Sequence, residues 1–261
     1  FGMIAFSSVW ARSWLAWSLA ELGEFDEAIA LGEEAVEIAT AGDHAPSRLQ
    51  ALFGCGILYT TQGRLDRAIP ALEQGLVLAR LESNPFYAPF LMGPLSAAYL
   101  LAGRADTAAT MLEQSIERSA SMRLAATEAL NLTWLGHALF LVGRRGPALE
   151  HARRALAIAG ERGERGQLAY VQRLLAVIAA EGEKPDVPAV DAAFREARDL
   201  AETLGMRPLA AHCLLGLGRL HSRAGSADLG REHLSDAATR YAAMGMALWG
   251  ERARAELDGA G

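Results

Sequence analysis

Six histidines and two cysteines are the residues whose types could do chemistry in this chain: His44, His137, His151, His212, His221, His233, Cys55 and Cys213. A metal site wants Cys and His ligands at short, recurring spacings, and no such cluster occurs. His212 and Cys213 are neighbours, so on a helix they point about 100° apart and do not converge. His212, His221 and His233 share one late stretch of the chain, without the spacing of a metal site. No serine or cysteine has an activating base beside it, and Cys55 reads as inert core. These residues predict no catalytic centre, no metal and no cofactor, and the chain is expected not to be an enzyme. A local run of arginines, Arg153, Arg154, Arg162, Arg165 and Arg173, is interleaved with Glu150, Glu161 and Glu164. That pattern reads as a solvated salt-bridge face.

The elements that carry these residues follow from composition. The chain has 261 residues, 51% hydrophobic and 21% charged, rich in Ala, Leu, Glu and Arg. Such a composition is all-helical and large enough for a sizeable core. The net charge of −6 disfavours direct nucleic-acid binding, which wants a basic surface. Two cysteines far apart in sequence suggest a reducing, cytoplasmic compartment, not a disulfide framework. The stretch from Met3 to Leu22 is apolar, but Arg12 interrupts it and no basic segment precedes it. It reads as an opening repeat and not as a signal peptide or membrane span. The chain opens on Phe1 with its first hairpin complete, as a piece of a longer protein would.

A fixed period organises the rest. Gly23, Gly63, Gly103 and Gly143 lie forty residues apart, each followed five residues later by Ala28, Ala68, Ala108 or Ala148. Four residues before them stand Leu19, Tyr59, Tyr99 and Leu139. A period in this range means stacked helical hairpins, each a helix A, a glycine turn and a helix B. The glycines supply the positive φ needed after helix A. Asp26, Asp66 and Asp106, and later Asp228, are placed to cap helix B, with Gly146-Pro147 in the cap's place in the fourth unit. Pro70 is placed within about the first turn of its helix. Small residues mark close approaches: Ala16, Gly56, Ser96 and Gly136 on helix A, and Ala35, Gly75, Ser115 and Ala155 on helix B. The fifth turn is read at Gly182, with its helix B from about Val190 to Leu204 after a loop at Glu183–Ala189. The sixth turn is read at Gly225. The units span about 6–42, 46–82, 86–122, 126–162, 166–204 and 207–244. A capping helix at about 247–257 turns Glu251, Arg252, Arg254 and Glu256 outward.

The motif around Gly56, Tyr59, Gly63 and Ala68, and less fully Gly136, Gly143 and Ala148, resembles the tetratricopeptide repeat, whose usual unit is about thirty-four residues. The forty-residue unit resembles the repeat arrays of large bacterial signalling ATPases, of the maltose-regulator and adenylate/guanylate cyclase types. The segments Met206–Leu220 and Tyr241–Trp249 resemble the C-terminal ends of such proteins. The resemblance implies a right-handed superhelical solenoid of about six hairpins, with helix A lining a concave groove.

Mapped by position, that groove receives Trp10, Ser13 and Trp17; Gln50, Phe53, Ile57 and Thr60; Phe90, Gly93 and Ala97. It then receives Leu130, Thr133, His137 and Phe140, followed by Gln172 and by His212, Leu215 and Arg219. The expected binding set is Trp10, Trp17, Phe53, Phe90, Thr133, His137, Phe140, Gln172, His212 and Arg219. Trp14 is assigned to packing, while Trp10 and Trp17 stay open between packing and groove. The family's clamp for a C-terminal carboxylate needs Lys, Asn and Arg where this chain has Ser13, Trp17, Gly54, Phe90 and Pro94, so that clamp is not expected. Pro94 reads as a late helix start near Tyr87 with a modest kink, and a local opening of the groove is the alternative. The functional expectation is a non-catalytic sensor or scaffold module of a larger bacterial cytoplasmic signalling protein. It would bind a peptide, a partner protein or a small-molecule effector, with no nucleic acid and no membrane. A self-associating scaffold, forming a homo-oligomer without a small ligand, is the alternative.

Overall fold

The computed structural model describes residues 5–259, which form thirteen α-helices and no strand. Phe1 and Met3 lie outside the described residues. Six antiparallel pairs follow one another: α1 (Ser7–Leu22) with α2 (Phe25–Ala41), α3 (Ala45–Gln62) with α4 (Leu65–Leu81), and α5 (Tyr87–Leu101) with α6 (Ala105–Ser121). They continue as α7 (Glu128–Leu141) with α8 (Arg145–Glu161), α9 (Arg165–Ala180) with α10 (Val187–Thr203), and α11 (Arg207–Arg223) with α12 (Ala227–Ala243). A last helix, α13, covers Ala247–Gly259. The result is a tetratricopeptide-like solenoid. No helix among the described residues is long and apolar enough to cross a membrane.

The recurring sequence triplet has a physical cause at each position. Gly23, Gly63, Gly103 and Gly143 have φ of 80, 89, 77 and 80°, where a side chain would be strained. That turn lets the next N–H reach back five residues. Glu24 N–H donates to Leu19 C=O at 2.9 Å, and Arg64, Arg104 and Arg144 N–H donate to Tyr59, Tyr99 and Leu139 C=O, each at 2.8 Å. The orphan carbonyls of helix A are thereby satisfied. Ala28, Ala68, Ala108 and Ala148 are fully buried, so the B helices cross close to their partners. Close approach is tightest at Gly56, where an added Cβ would sit 2.2 Å from Leu72; at Gly75 it would meet Leu91 at 2.8 Å.

Four sequence expectations are corrected. Helices α2, α4, α6 and α12 begin one residue before Asp26, Asp66, Asp106 and Asp228, and no side chain caps them. Those carboxylates act instead on the helix dipole from the first turn. The side-chain cap is found at Asp186, which accepts from Ala189 N–H at 3.1 Å, so α10 starts at Val187, ahead of the expected Val190. Pro70 lies in the second turn of α4, exposed, where the carbonyl it leaves free belongs to Asp66. Gly182 has no positive φ; α9 ends without a glycine turn, and Arg145 donates to the free carbonyls of Ile178 and Glu181 at 2.6 and 2.9 Å.

The A helices touch in succession, α1 to α3, α3 to α5, α5 to α7, α7 to α9 and α9 to α11, and α11 touches α1. The solenoid therefore closes on itself. Across the seam, Tyr170 OH donates to Glu21 at 2.7 Å, and Arg207 donates to Leu22 C=O and pairs with Glu24, both at 2.7 Å. Helix α13 then lies over the C-terminal ends of α3 and α5. Leu248 and Trp249 pack on Gly63, and Arg252 donates to Leu101 C=O at 2.8 Å. Arg252 and Glu256 are thus turned toward other units, not outward as the capping pattern suggested; Glu256 accepts from Arg219 at 2.8 Å.

Candidate ligand site at the centre of the array

The inner ring of A helices lines a partly open cavity of ≈ 120 Å³. Its wall repeats with the sequence. Trp17, Ile57, Ala97 and His137 form one column at forty-residue steps, with Thr60 and Leu100 in a second. Leu130 and Tyr170, Thr133 and Arg173, and Trp134 and Leu174 are further forty-residue pairs on α7 and α9. Glu21 joins from α1, Pro94 from α5, His212 from α11 and Trp249 from α13. Both ends of the chain therefore contribute to one wall.

Most polar groups of the wall are engaged. The Glu21 carboxylate accepts from Tyr170 OH at 2.7 Å and from Trp17 Nε1 at 2.9 Å. Burial raises its pKa above the ordinary carboxylate value, against those two hydrogen bonds. His212 Nδ1 and Tyr241 OH lie 2.6 Å apart, and Trp249 packs on the His212 ring at 4.3 Å. Burial first, then Arg173 and Arg219, hold His137 down at about 4 and push His212 well below its usual value. Both rings keep an accessible edge because they face the cavity, yet protein surrounds them, so both are neutral at pH 7. Arg173 differs: its Nε is buried and reaches no acceptor among the described residues.

Of the expected binding residues, the cavity brings together Trp17, Thr133, His137 and His212. Trp10 stays at the outer edge, 37% exposed, and leans on Trp14 at 5.8 Å. Trp14 packs on Trp17 and Phe53, and Phe53 on Phe90, in a chain of rings beside the cavity. Phe140 is half-buried against the core. Gln172 faces α10, donating to Glu196 at 3.3 Å. Arg219 lies in a separate surface pocket with Glu256. Helix α5 starts at Tyr87 as read from the sequence, and Pro94 forms part of the cavity wall.

Sequence reasoning missed Glu21, Trp134, Tyr170, Arg173 and Trp249. For the fifth unit the signal was present: forty residues after Thr133 is Arg173, not Gln172. Taking Gly182 as the turn shortened that step by one residue, which rotates a helical position by about 100°.

Elsewhere, His221 Nε2 bonds Asp191 at 3.1 Å with the His233 ring 5.7 Å away; no metal-binding group of side chains occurs among the described residues. The buried thiols of Cys55 and Cys213 are pushed up to about 12 by desolvation, so neither is a nucleophile at neutral pH.

Two family models match the sequence, both described as tetratricopeptide repeat, at residues 8–80 and 90–114. No curated protein sequence matches the chain. Among solved structures, the apo form of RapI is similar with a TM-score of 0.67 and 12% identity, over 95% of this chain and 85% of that one. A Rap protein complexed with Competence and Sporulation Factor has a TM-score of 0.67 and 14% identity, over 97% of this chain and 74% of its own. A signal-transduction ATPase with numerous domains and a tetratricopeptide-repeat sensor, from Pyrococcus horikoshii, has a TM-score of 0.52 and 14% identity, over 88% and 35%. At such identities the likeness is one of fold.

Proposed function

We propose that this array of tetratricopeptide repeats is a non-catalytic sensor that holds its ligand in the central cavity. It serves as a module of a larger bacterial cytoplasmic signalling protein. The observation that carries the reading is the shared wall: Trp17 and Glu21 come from α1, His212 from α11 and Trp249 from α13. An occupant touching all four favours the closed array over one whose seam has opened, and so shifts the balance between them. The structural neighbours support a ligand-holding role, since one is a Rap protein complexed with Competence and Sporulation Factor and another has a tetratricopeptide-repeat sensor.

The test is a thermal-shift screen of metabolites and short peptides against this chain, repeated with His137→Ala and Trp249→Ala. A stabilising compound should lose its effect in both variants, and should slow hydrogen exchange at Leu22 and Trp249 together. Compounds that stabilise all three proteins equally would place binding outside the cavity and refute the sensor reading.

A second reading, self-association, is favoured by Trp10 and Leu15, 37% and 48% exposed on α1. Light scattering that shows a mass rising with concentration, and falling back with Trp10→Ser, would support it.

A further inference from the structure

Arg173 is the cavity residue that the fold does not explain. It projects from α9 into the wall shared with Thr133, Tyr170 and Trp134. Its Nε is buried without an acceptor. A guanidinium nitrogen buried with nothing opposite it leaves a charged donor unsatisfied, and folds normally supply a carboxylate or carbonyl. This chain does so elsewhere. Arg219 pairs with Glu256, Arg145 with the end of α9, and Arg252 with the end of α5. The one carboxylate in the cavity wall, Glu21, is already held by Tyr170 and Trp17. His137 and His212 bring no negative charge. A second donor in the wall, Trp249 Nε1, is also buried without a partner.

We infer that the cavity is built for a small organic carboxylate whose carboxyl group pairs with the Arg173 guanidinium and whose apolar body packs among Pro94, Trp134 and Trp249. The inference rests on the sensor reading and adds the ligand's chemical class. Guanidinium and carboxylate match as a planar two-point pair. Size sets the rest of the molecule: a cavity of ≈ 120 Å³ is close to the ~150 Å³ that accommodates benzene. One ring or a short branched chain fills it.

The experiment uses phenylacetate and its uncharged isostere phenylacetamide as probes, at fixed ionic strength. Binding is followed by calorimetry and by quenching of the tryptophans in the wall. The wild-type chain should bind the acid about tenfold or more tightly than the amide, as a charge-assisted pair requires. Arg173→Gln should erase that preference, and Arg173→Lys should restore part of it. Circular dichroism should show Arg173→Gln folded, because Arg173 makes no hydrogen bond or ion pair among the described residues that the change would break. Equal binding of acid and amide to the wild type, or a preference that survives Arg173→Gln, overturns the carboxylate assignment and leaves the cavity as a ligand site. If neither probe binds the wild type at millimolar concentration, the carboxylate assignment falls. If the screen also finds no cavity-dependent ligand, the sensor reading falls with it.

Discussion

Gly23 and Gly63 have nearly the same backbone as Gly103 and Gly143, and the four sequences around them follow one motif. Their surroundings differ. A Cβ on Gly23 would meet Met244 Sδ at 2.6 Å, and one on Gly63 would meet Leu248 at 3.1 Å; at Gly103 and Gly143 nothing lies within 4 Å. The motif builds all four turns alike. In the first two units the end of the chain then uses them as a seat, while in the third and fourth they remain open to solvent. A repeat element can thus serve local structure everywhere and tertiary closure only where the superhelix brings its own far end round.

The largest expected effect separates these two roles. Alanine at any of the four glycines costs about 1 kcal/mol through the left-handed backbone. Gly23→Ala and Gly63→Ala should cost about 1–2 kcal/mol more, by overpacking against Met244 and Leu248. Urea denaturation of the four variants measures this, and four equal losses would mean that the seam contributes nothing.

A smaller effect sharpens the comparison from inside the seam. The folded pKa of Glu21 is raised by burial, so between the unfolded and folded values the native state binds more protons. Stability from this group is therefore full below the ordinary glutamate value of about 4.3 and declines as pH rises through the folded value. Glu21→Gln should remove that decline, leaving its stability flatter than the wild type's from pH 4 upward. Parallel profiles would show that Glu21 is solvated and the seam loose.

The smallest effect belongs to the opposite edge, where B helices hand over to the next unit. Asp43, Ser83 and Arg123 there have φ of 41, 50 and 57°, while Gly163 takes the same turn at 66°. Ser83→Gly and Arg123→Gly should each stabilise by about 0.5 kcal/mol, the relief of strain less the entropy of glycine. Asp43→Gly should gain least, since aspartate tolerates this conformation. A thermal melt resolves the order.

These contrasts also mark how far the sequence could be read. The hairpins were legible because Gly, Ala and a bulky residue recur for local reasons: a turn, a close crossing, a carbonyl bond. The cavity columns were legible wherever forty-residue counting held, which yielded Trp17, Thr133 and His137. It failed at Gln172 because Gly182 resembles a turn glycine without adopting the turn. Closure was not legible, because Tyr170 and Glu21 are 149 residues apart and nothing in either residue names the other. The aspartates after each turn were misread because a carboxylate favours the first helical turn as well as the cap.

Closure has a consequence for how such a chain can change over generations. An open array can gain or lose a unit by duplication or deletion, since each unit rests only on its neighbours. Here Arg207 must find the end of α1 and Arg252 the end of α5. Removing or adding one forty-residue unit would carry both arginines past their targets, so closure ties the number of units to the geometry of the ring.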